Sequence, residues 1–418
     1  MSRASLADSA RRIAPLAWPV LVGQLSVLAF STIDTVLVAR HGATDLAALA
    51  VGAAAYITVF IGFMGVVLAL GPIVGQLFGA GKLQEAGRHV HQTVWIALAL
   101  SLLGSGLLVF PAPFLALSQA GPEVEAKVRS YLQVLALSLP AALLFTVWRG
   151  FNVAVSRPKA VMALQLGGLL LKLPLSTLLI FGVPALGLPA LGVVGGGIAT
   201  CIAMWAQVLG ALWLLRRDSF YDRFSLKGRG LDAPDRLALL AQLRLGVPMG
   251  ATILVEVSGF SFMAIFIARL GTTPVAGHQI AANLVALLFM VPLAIANGAS
   301  TLVAQRIGAQ DMADARRLGG HALAIVVLLA TLLGGSVFLG REAVVALYTG
   351  DAAVAAAALP LLAYVALFHM ADAAQALAAF VLRAWRIATL PLVINAVALW
   401  GLGLGGGFWL AFAAPPWV

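Results

Sequence analysis

The chain has 418 residues, 62% of them hydrophobic and only 10% charged, with a mean hydropathy of +1.02. Soluble domains carry roughly 25% charged residues, so a water-soluble globule is excluded and lipid must solvate the surface that polar groups cannot cover. The net charge of +10 does not indicate a nucleic-acid binder, because the cations sit in short clusters between long apolar runs and build no continuous basic face.

A transmembrane helix needs about 20 predominantly apolar residues. In chain order this predicts spans at 13–39, 46–77, 89–112, 127–151, 159–182, 190–215, 238–268, 275–305, 316–339, 353–381 and 387–412. The second, seventh and eighth runs are long, which predicts tilt or extension beyond the bilayer. Arg3, Arg11 and Arg12 read as a lead-in to a first span too long for a signal-peptide core, so no cleavable leader is expected.

With the N-terminus inside, twenty of the 26 Lys and Arg fall in cytoplasmic segments and five (Arg40, Lys127, Arg129, Arg269, Arg341) fall outside. That asymmetry predicts a cytoplasmic N-terminus. The remaining cation, Lys172, lies within the fifth span. The largest cytoplasmic cluster falls between spans six and seven and reads as a linker. The expected division is a six-helix lobe over 1–215, a linker over 216–236 and a second lobe over 237–418.

The two halves repeat. At an offset of 229, Pro19 falls on Pro248, Arg40 on Arg269, Gly42 on Gly271, Thr44 on Thr273, Gln76 on Gln305, Gly79 on Gly308 and Arg88 on Arg317, without a gap. Further on, Arg149 falls on Arg383 after a shift of five. Each half starts with a proline-containing helix and a second helix ending in a Gln-x-x-Gly-Ala turn. Six spans per half, an even number, give both halves one orientation. Parallel repeats of this kind are a transporter device, with the binding site between the repeats. The partner of span six would begin near 419–424, past Val418, so a truncated chain lacking its twelfth helix is expected.

Of sixteen acidic residues, three lie deep in spans: Asp34, Glu256 and Asp372. A carboxylate at mid-bilayer costs roughly 2.5–3.5 kcal/mol even on the lenient insertion scale, and marks function more often than structure. Under the repeat Asp34 corresponds to Met263, and Glu256 lies seven residues earlier on that helix. The two acids therefore share equivalent faces, about 10 Å apart in depth. His369, Asp372 and Gln375 recur every third residue on span ten and predict one polar stripe. Gln279 and Asn283, four apart, share a face of span eight. Such groups must face a bundle interior or a wet cavity. A carboxylate there can hold a proton or Na+ and release it when the cavity reopens, and an organic cation can compete for the same charge.

Lys172 has two readings, a lysine that snorkels along its stem and an ion pair with Asp34. His41, His89, His91 and His321 read as interfacial, His278 as a helix-end packing residue, and most tryptophans as interface or packing residues. The glycine runs at 195–197 and 405–407 predict close helix packing. Cys201 is alone, so no internal disulfide forms. No Walker loop, metal-ligand cluster or nucleophile pattern appears, and the chain is not read as an enzyme.

The segments "WPVLVGQLSVLAFSTIDTVLVARHGATDLAALAVG", "GPIVGQLFGAG", "LRLGVPMGATILVEVSGF", "GHQIAANLVALLFMVPLAIANGASTLVAQRIGA" and "HMADAAQALAAFVLRAW" resemble the multidrug and toxic compound extrusion (MATE) family, in its NorM-like branch. The resemblance covers nearly the whole chain. It implies an all-α integral membrane fold of two pseudo-symmetric lobes, six and five helices here, around a V-shaped central cleft. It implies export of cationic, amphipathic drugs and dyes by antiport against inward Na+ or H+, in the bacterial inner membrane. It implies cation-coupling roles for Asp34, Glu256 and Asp372, with Glu256 and Asp372 as the Na+ ligands if sodium is the ion, and places Gln279 near the drug.

There are departures. Phe368 stands where the family often has tyrosine, Lys172 and Ser176 where it often has two asparagines, and Arg383-Ala384 where it usually has Arg-Gly. No cofactor beyond the coupling ion and no nucleic-acid partner is expected, and the chain is expected to be a monomer. The cavity set is Gln279, Asn283, His369, Gln375, Phe368, Lys172 and Ser176. The alternatives are a lipid-linked sugar flippase of related architecture, whose cavity should be basic, and an inactive truncated transporter.

Overall fold

The computed structural model describes residues 5–413 except 119–120, 185–186 and 228–229; Arg3 and Arg229, both counted above as cytoplasmic, lie outside the described residues. The described residues contain eleven helices long and apolar enough to cross a membrane. They are α1 (Leu6–His41), α2 (Ala43–Gly79), α3 (Leu83–Val109), α4 (Pro122–Ala154), α5 (Pro158–Phe181), α6 (Gly192–Arg217), α7 (Arg236–Ala268), α8 (Thr272–Gly308), α9 (Met312–Leu339), α10 (Ala352–Ala384) and α11 (Thr389–Phe412). All eleven expected spans are present. Most run a few residues further than expected, because hydropathy marks only the lipid-solvated part of a helix.

Local chemistry sets the ends. α4 and α5 begin on proline, whose missing N–H is no loss in a first turn. Asp311 caps α9 by accepting from the Asp314 N–H at 3.0 Å. Asp351 caps α10, accepting from the N–H groups of Ala353 at 2.8 Å and Val354 at 3.2 Å.

The repeat is plain in the structure. α2 and α8 each span 37 residues, from 43 to 79 and from 272 to 308, at an offset of 229. Both end in the same closure: Ala80 N–H donates to Gln76 O at 2.9 Å and Ala309 N–H to Gln305 O at 3.0 Å. Gly81 (φ 73°) and Gln310 (φ 61°) follow in the left-handed region. Glycine takes that conformation freely, whereas Gln310 does so at a cost of roughly 1–2 kcal/mol.

Beyond α9 the register moves by one rather than by five. α4 and α10 are both 33 residues long, 122–154 and 352–384. Each is followed by a left-handed residue, Ser156 (φ 62°) and Arg386 (φ 60°). At this offset Arg149 aligns with Ala379, not with Arg383. Identities are cheap in apolar helices, and a chance arginine pair outweighed the true register.

Contacts divide the chain into two compact units, residues 22–250 and residues 1–21 with 251–418. The division does not fall in the 216–236 stretch. It falls inside α1 and α7, two residues past Pro19 and Pro248, each of which interrupts the helical hydrogen-bond ladder.

The first unit is built around α4, which packs on α2, α3 and α6. Its core includes Val59, Leu70, Leu108, Leu132, Leu139 and Phe151. The start of α7 belongs to it: a Cβ on Gly250 would stand 2.6 Å from the Gly62 carbonyl oxygen, and Thr93 Oγ1 donates to Gln242 Oε1 at 2.7 Å. The stretch ahead of α7 is fastened to α3. Gln92 donates to the Ala233 carbonyl at 2.9 Å and accepts from Asp235 N–H at 2.7 Å, and Trp95 Nε1 donates to Asp232 O at 2.9 Å.

A short helix, Ser219–Phe224, packs on α3 and α6 of this unit. Arg157 pairs with Asp218 at 2.6 Å and lies over the Phe220 ring at 4.4 Å. The Phe220 N–H and the Arg157 guanidinium hold the Asp218 carboxyl below the usual carboxylate range, and burial pushes the Tyr221 phenol up.

The second unit is built around α10, which packs on α8 and α9. Ile13 and Ala17 of α1 are part of its core, against Ile295, Ala299 and Ala373. Arg12 is tied in as well, at 2.8 Å from Asp314, a buried acid that also meets Arg306 at 3.1 Å and Arg317 at 2.6 Å. His321 bonds Ser9 Oγ at 2.7 Å.

The glycine run at 195–197 packs closely, as expected: a Cβ on Gly195 would lie 2.5 Å from the Leu179 carbonyl carbon, and one on Gly197 would lie 2.9 Å from the Tyr131 ring. The run at 405–407 does not. Gly406 has nothing within 4 Å, so the reading as close helix packing is corrected there.

Candidate functional site

The deep polar residues form two separate constellations, one in each unit. In the unit of residues 22–250, Asp34 of α1 meets Lys172 of α5, with the ammonium 2.7 Å from Asp34 Oδ2. Lys172 Nζ also donates to the Phe30 carbonyl at 3.1 Å and lies 4.4 Å from the Phe30 ring centroid. Ser176 Oγ donates to Asp34 Oδ1 at 3.4 Å and Thr200 Oγ1 to Asp34 Oδ2 at 3.5 Å. Helical spacing makes this set: Phe30 and Asp34 are four apart on α1, Lys172 and Ser176 four apart on α5, Gly196 and Thr200 four apart on α6. Gly196 lies beside the carboxylate, where a Cβ would sit 3.7 Å from Asp34 Oδ1, an ordinary contact. The pair is enclosed, with Lys172 1% and Asp34 7% exposed. Of the two readings of Lys172, the structure shows the ion pair.

In the other unit, Glu256 of α7 is held by two neutral amides. Asn395 Nδ2 of α11 donates to Glu256 Oε1 at 2.6 Å, and Gln375 Nε2 of α10 reaches the same oxygen at 3.4 Å. Gln375 Nε2 also donates to Asn395 Oδ1 at 2.9 Å, so the three side chains brace one another. Asp372, three residues before Gln375, is partly exposed and has no hydrogen-bond or ion-pair partner among the described residues. Among the same residues, no Lys, Arg or His forms an ion pair with either acid. Arg383, buried over the Phe380 ring at 4.7 Å, reaches Glu256 only through its field. Among the described residues no three His, Cys, Asp or Glu side chains converge as a metal site.

The two constellations therefore differ in charge. One carboxylate is neutralised by a fixed ammonium within hydrogen-bond distance. In the other unit, Glu256 has only amides at hydrogen-bond distance, and Asp372 has no partner among the described residues.

A family model described as MatE matches the chain twice, over residues 19–178 and 248–409. The chain belongs to the MatE family. The two matches start at Pro19 and Pro248, the pair that sets the offset of 229. The "Probable multidrug resistance protein NorM" of Aromatoleum aromaticum is 41% identical over 399 residues, covering 96% of this chain and 86% of the relative. The "Multidrug resistance protein PmpM" of Pseudomonas aeruginosa is 35% identical over 399 residues, covering 95% and 83%. Among solved structures, the Vibrio cholerae MATE transporter VcmN in its bent form matches with a TM-score of 0.85 at 21% identity, covering 97% of this chain and 91% of that one. A eukaryotic MATE transporter matches with a TM-score of 0.87 at 19% identity, covering 97% and 90%. These structural likenesses speak for the fold; the relatives establish the NorM-like affiliation.

In this MatE protein the expected site residues are spread over distinct environments. Gln279 and Asn283 lie on an exposed face of α8, where Asn283 Oδ1 accepts from the Tyr348 hydroxyl at 3.1 Å. Phe368 is 39% exposed on α10. His369, Asp372 and Gln375 do not form one stripe. Steps of three on a helix of 3.6 residues per turn drift by about 60° each, so His369 points into packing, Asp372 stays partly exposed and Gln375 turns to Glu256. His369 is 0% exposed with neither ring nitrogen partnered, which removes it from any open cavity surface in this conformation. His91 is buried rather than on the protein surface and lies 3.0 Å from Asp232.

Three members of the sites escaped sequence reasoning: Asn395, Thr200 and the Phe30 carbonyl. Asn395 is the one amide in an otherwise apolar span, and that solitude was its signal. Thr200 had none, because threonines in apolar helices commonly bond their own backbone, as Thr200 also does to Gly196 O at 3.0 Å.

Proposed function

We propose that this MatE protein is a secondary active multidrug exporter of the bacterial inner membrane, moving cationic, amphipathic compounds outward against an inward Na+ or H+. One observation carries the reading. Glu256, held by two amides, and Asp372, without a hydrogen-bond partner, are partly exposed carboxylates on transmembrane helices with no ion-paired cation among the described residues. Arg383 acts on Glu256 only through its field, so two carboxylates face at most one distant protein cation, and the remaining charge is open to a cation from outside, whether H+, Na+ or a positively charged substrate. Competition for one negative site suffices for exchange, because the ion and the drug cannot both neutralise it. The amides of Gln375 and Asn395 orient Glu256 without neutralising it. Asp34 is already neutralised by Lys172, so coupling is assigned to the Glu256 and Asp372 pair. The multidrug names of the relatives support the substrate class. A flippase for anionic lipid carriers is not favoured, because Lys172, the one deep cation foreseen, is engaged with Asp34.

The experiment is ethidium efflux from energised cells expressing the chain, run in sodium and in sodium-free buffer at one pH. The Glu256→Gln, Asp372→Asn double variant is expected to lose gradient-driven efflux. Undiminished efflux by that variant, at equal expression, defeats the assignment.

A further inference from the structure

The surroundings of Lys172 are those of a bound cation. Its ammonium touches one carboxylate oxygen at 2.7 Å, one main-chain carbonyl at 3.1 Å and the face of an aromatic ring at 4.4 Å. Two hydroxyls, Ser176 and Thr200, complete the oxygen set around Asp34 at 3.4 and 3.5 Å. Carboxylate, carbonyl and hydroxyl oxygens are the donors that hard metal cations take. Here the position is filled by an amine covalently fixed to the chain, sealed from solvent and held on three sides.

We propose that Lys172 is a built-in counter-ion: it occupies the cation position beside Asp34 and thereby closes this half of the protein to Na+. Removing the ammonium while keeping the carboxylate converts the α1–α5–α6 constellation into a site for a monovalent metal ion. The inference deepens the proposed function by assigning ion uptake to the Glu256 and Asp372 half alone. Its test is built so that it does not depend on that half.

The test uses the purified full chain in a Glu256→Gln, Asp372→Asn background, which silences the other pair whether or not that pair couples transport. Thermal unfolding is followed while NaCl replaces choline chloride at constant ionic strength and pH. With Lys172 intact, the midpoint is expected not to respond to sodium. With Lys172→Asn or Lys172→Gln, it is expected to rise saturably with sodium, and adding Asp34→Asn is expected to abolish the rise. If the neutral variants are unstable in choline, the yield of monodisperse protein in sodium against choline is the readout. A sodium response that needs Asp34 while Lys172 is present overturns the proposal. So does a neutral variant with no sodium response, or with equal loss of protein in both salts. Separate failure of the efflux experiment above, with success here, would sink the coupling assignment and leave this one standing.

Discussion

The Asp34–Lys172 pair makes a quantitative demand on stability. Removing one partner of a buried ion pair costs about 3–5 kcal/mol, because the survivor is left charged and desolvated, whereas replacing both is often close to neutral. The structure ranks the single variants. Asp34→Asn leaves the ammonium with the Phe30 carbonyl at 3.1 Å and the Phe30 ring at 4.4 Å, so its cost should fall at the lower end, about 3 kcal/mol. Lys172→Met leaves the carboxylate with two hydroxyl contacts of 3.4 and 3.5 Å, both at the limit of a hydrogen bond. Its cost in sodium-free buffer should approach about 5 kcal/mol. The double variant, Asp34→Asn with Lys172→Met, keeps the stem volume and puts a neutral amide at position 34. Ser176, Thr200 and the Phe30 carbonyl can satisfy that amide, so the double variant should lie within about 1 kcal/mol of the parent. Equilibrium unfolding in mixed micelles, followed by tryptophan fluorescence, measures all three. The reasoning is refuted if both single variants lie within about 1 kcal/mol of the parent, or if the double variant costs the sum of the singles.

Other outcomes follow from the same structure. Asn395→Leu removes the 2.6 Å bond to Glu256; a hydrogen bond to a charged group is worth about 1.5–3 kcal/mol, so the coupling-ion concentration for half-maximal dye efflux should shift at least about tenfold, and an unshifted curve would remove Asn395 from the site. Gly195→Ala should destabilise by about 1–3 kcal/mol, since the new methyl meets backbone of Leu179 and Ile180. Gly406→Ala, with open space around it, should be neutral or gain up to about 1 kcal/mol from helix propensity; thermal unfolding of the two variants decides. Asp218 has a depressed carboxyl in the folded chain, so its stabilising contribution is complete above the unfolded value near 4 and fades as pH falls through the lower folded value. Asp218→Asn should therefore be less stable than the parent at pH 7, with the gap closing below about pH 4.

The spans were legible because hydropathy reports the medium a helix meets, and eleven long apolar runs leave little choice. The duplication was legible through its prolines, glycines and turn residues, whose roles are conformational. The register beyond α9 was not, since α9 is one residue longer than α3, a difference that leaves no mark in an apolar run, and the Arg149–Arg383 match drew the alignment four residues too far. The three deep acids were legible by cost alone, and Lys172 could be named as a partner for Asp34 because a second charge at depth invites one. The partner of Asn395 and the environment of His369 were out of reach: an amide or imidazole inside a helix declares its expense but not its neighbour. The division of α1 and α7 between units was equally hidden, because hydropathy assigns a whole helix to lipid without asking which core its first four turns complete.

That division bears on how such a chain arose. A single ancestral copy whose first helix divided in the same way would have carried a leading segment directed at the core of a second copy. Two copies trading those segments would have finished each other's interiors. With both copies on one chain, each compact unit is completed by a segment of the other copy, and that segment is covalently bound to arrive.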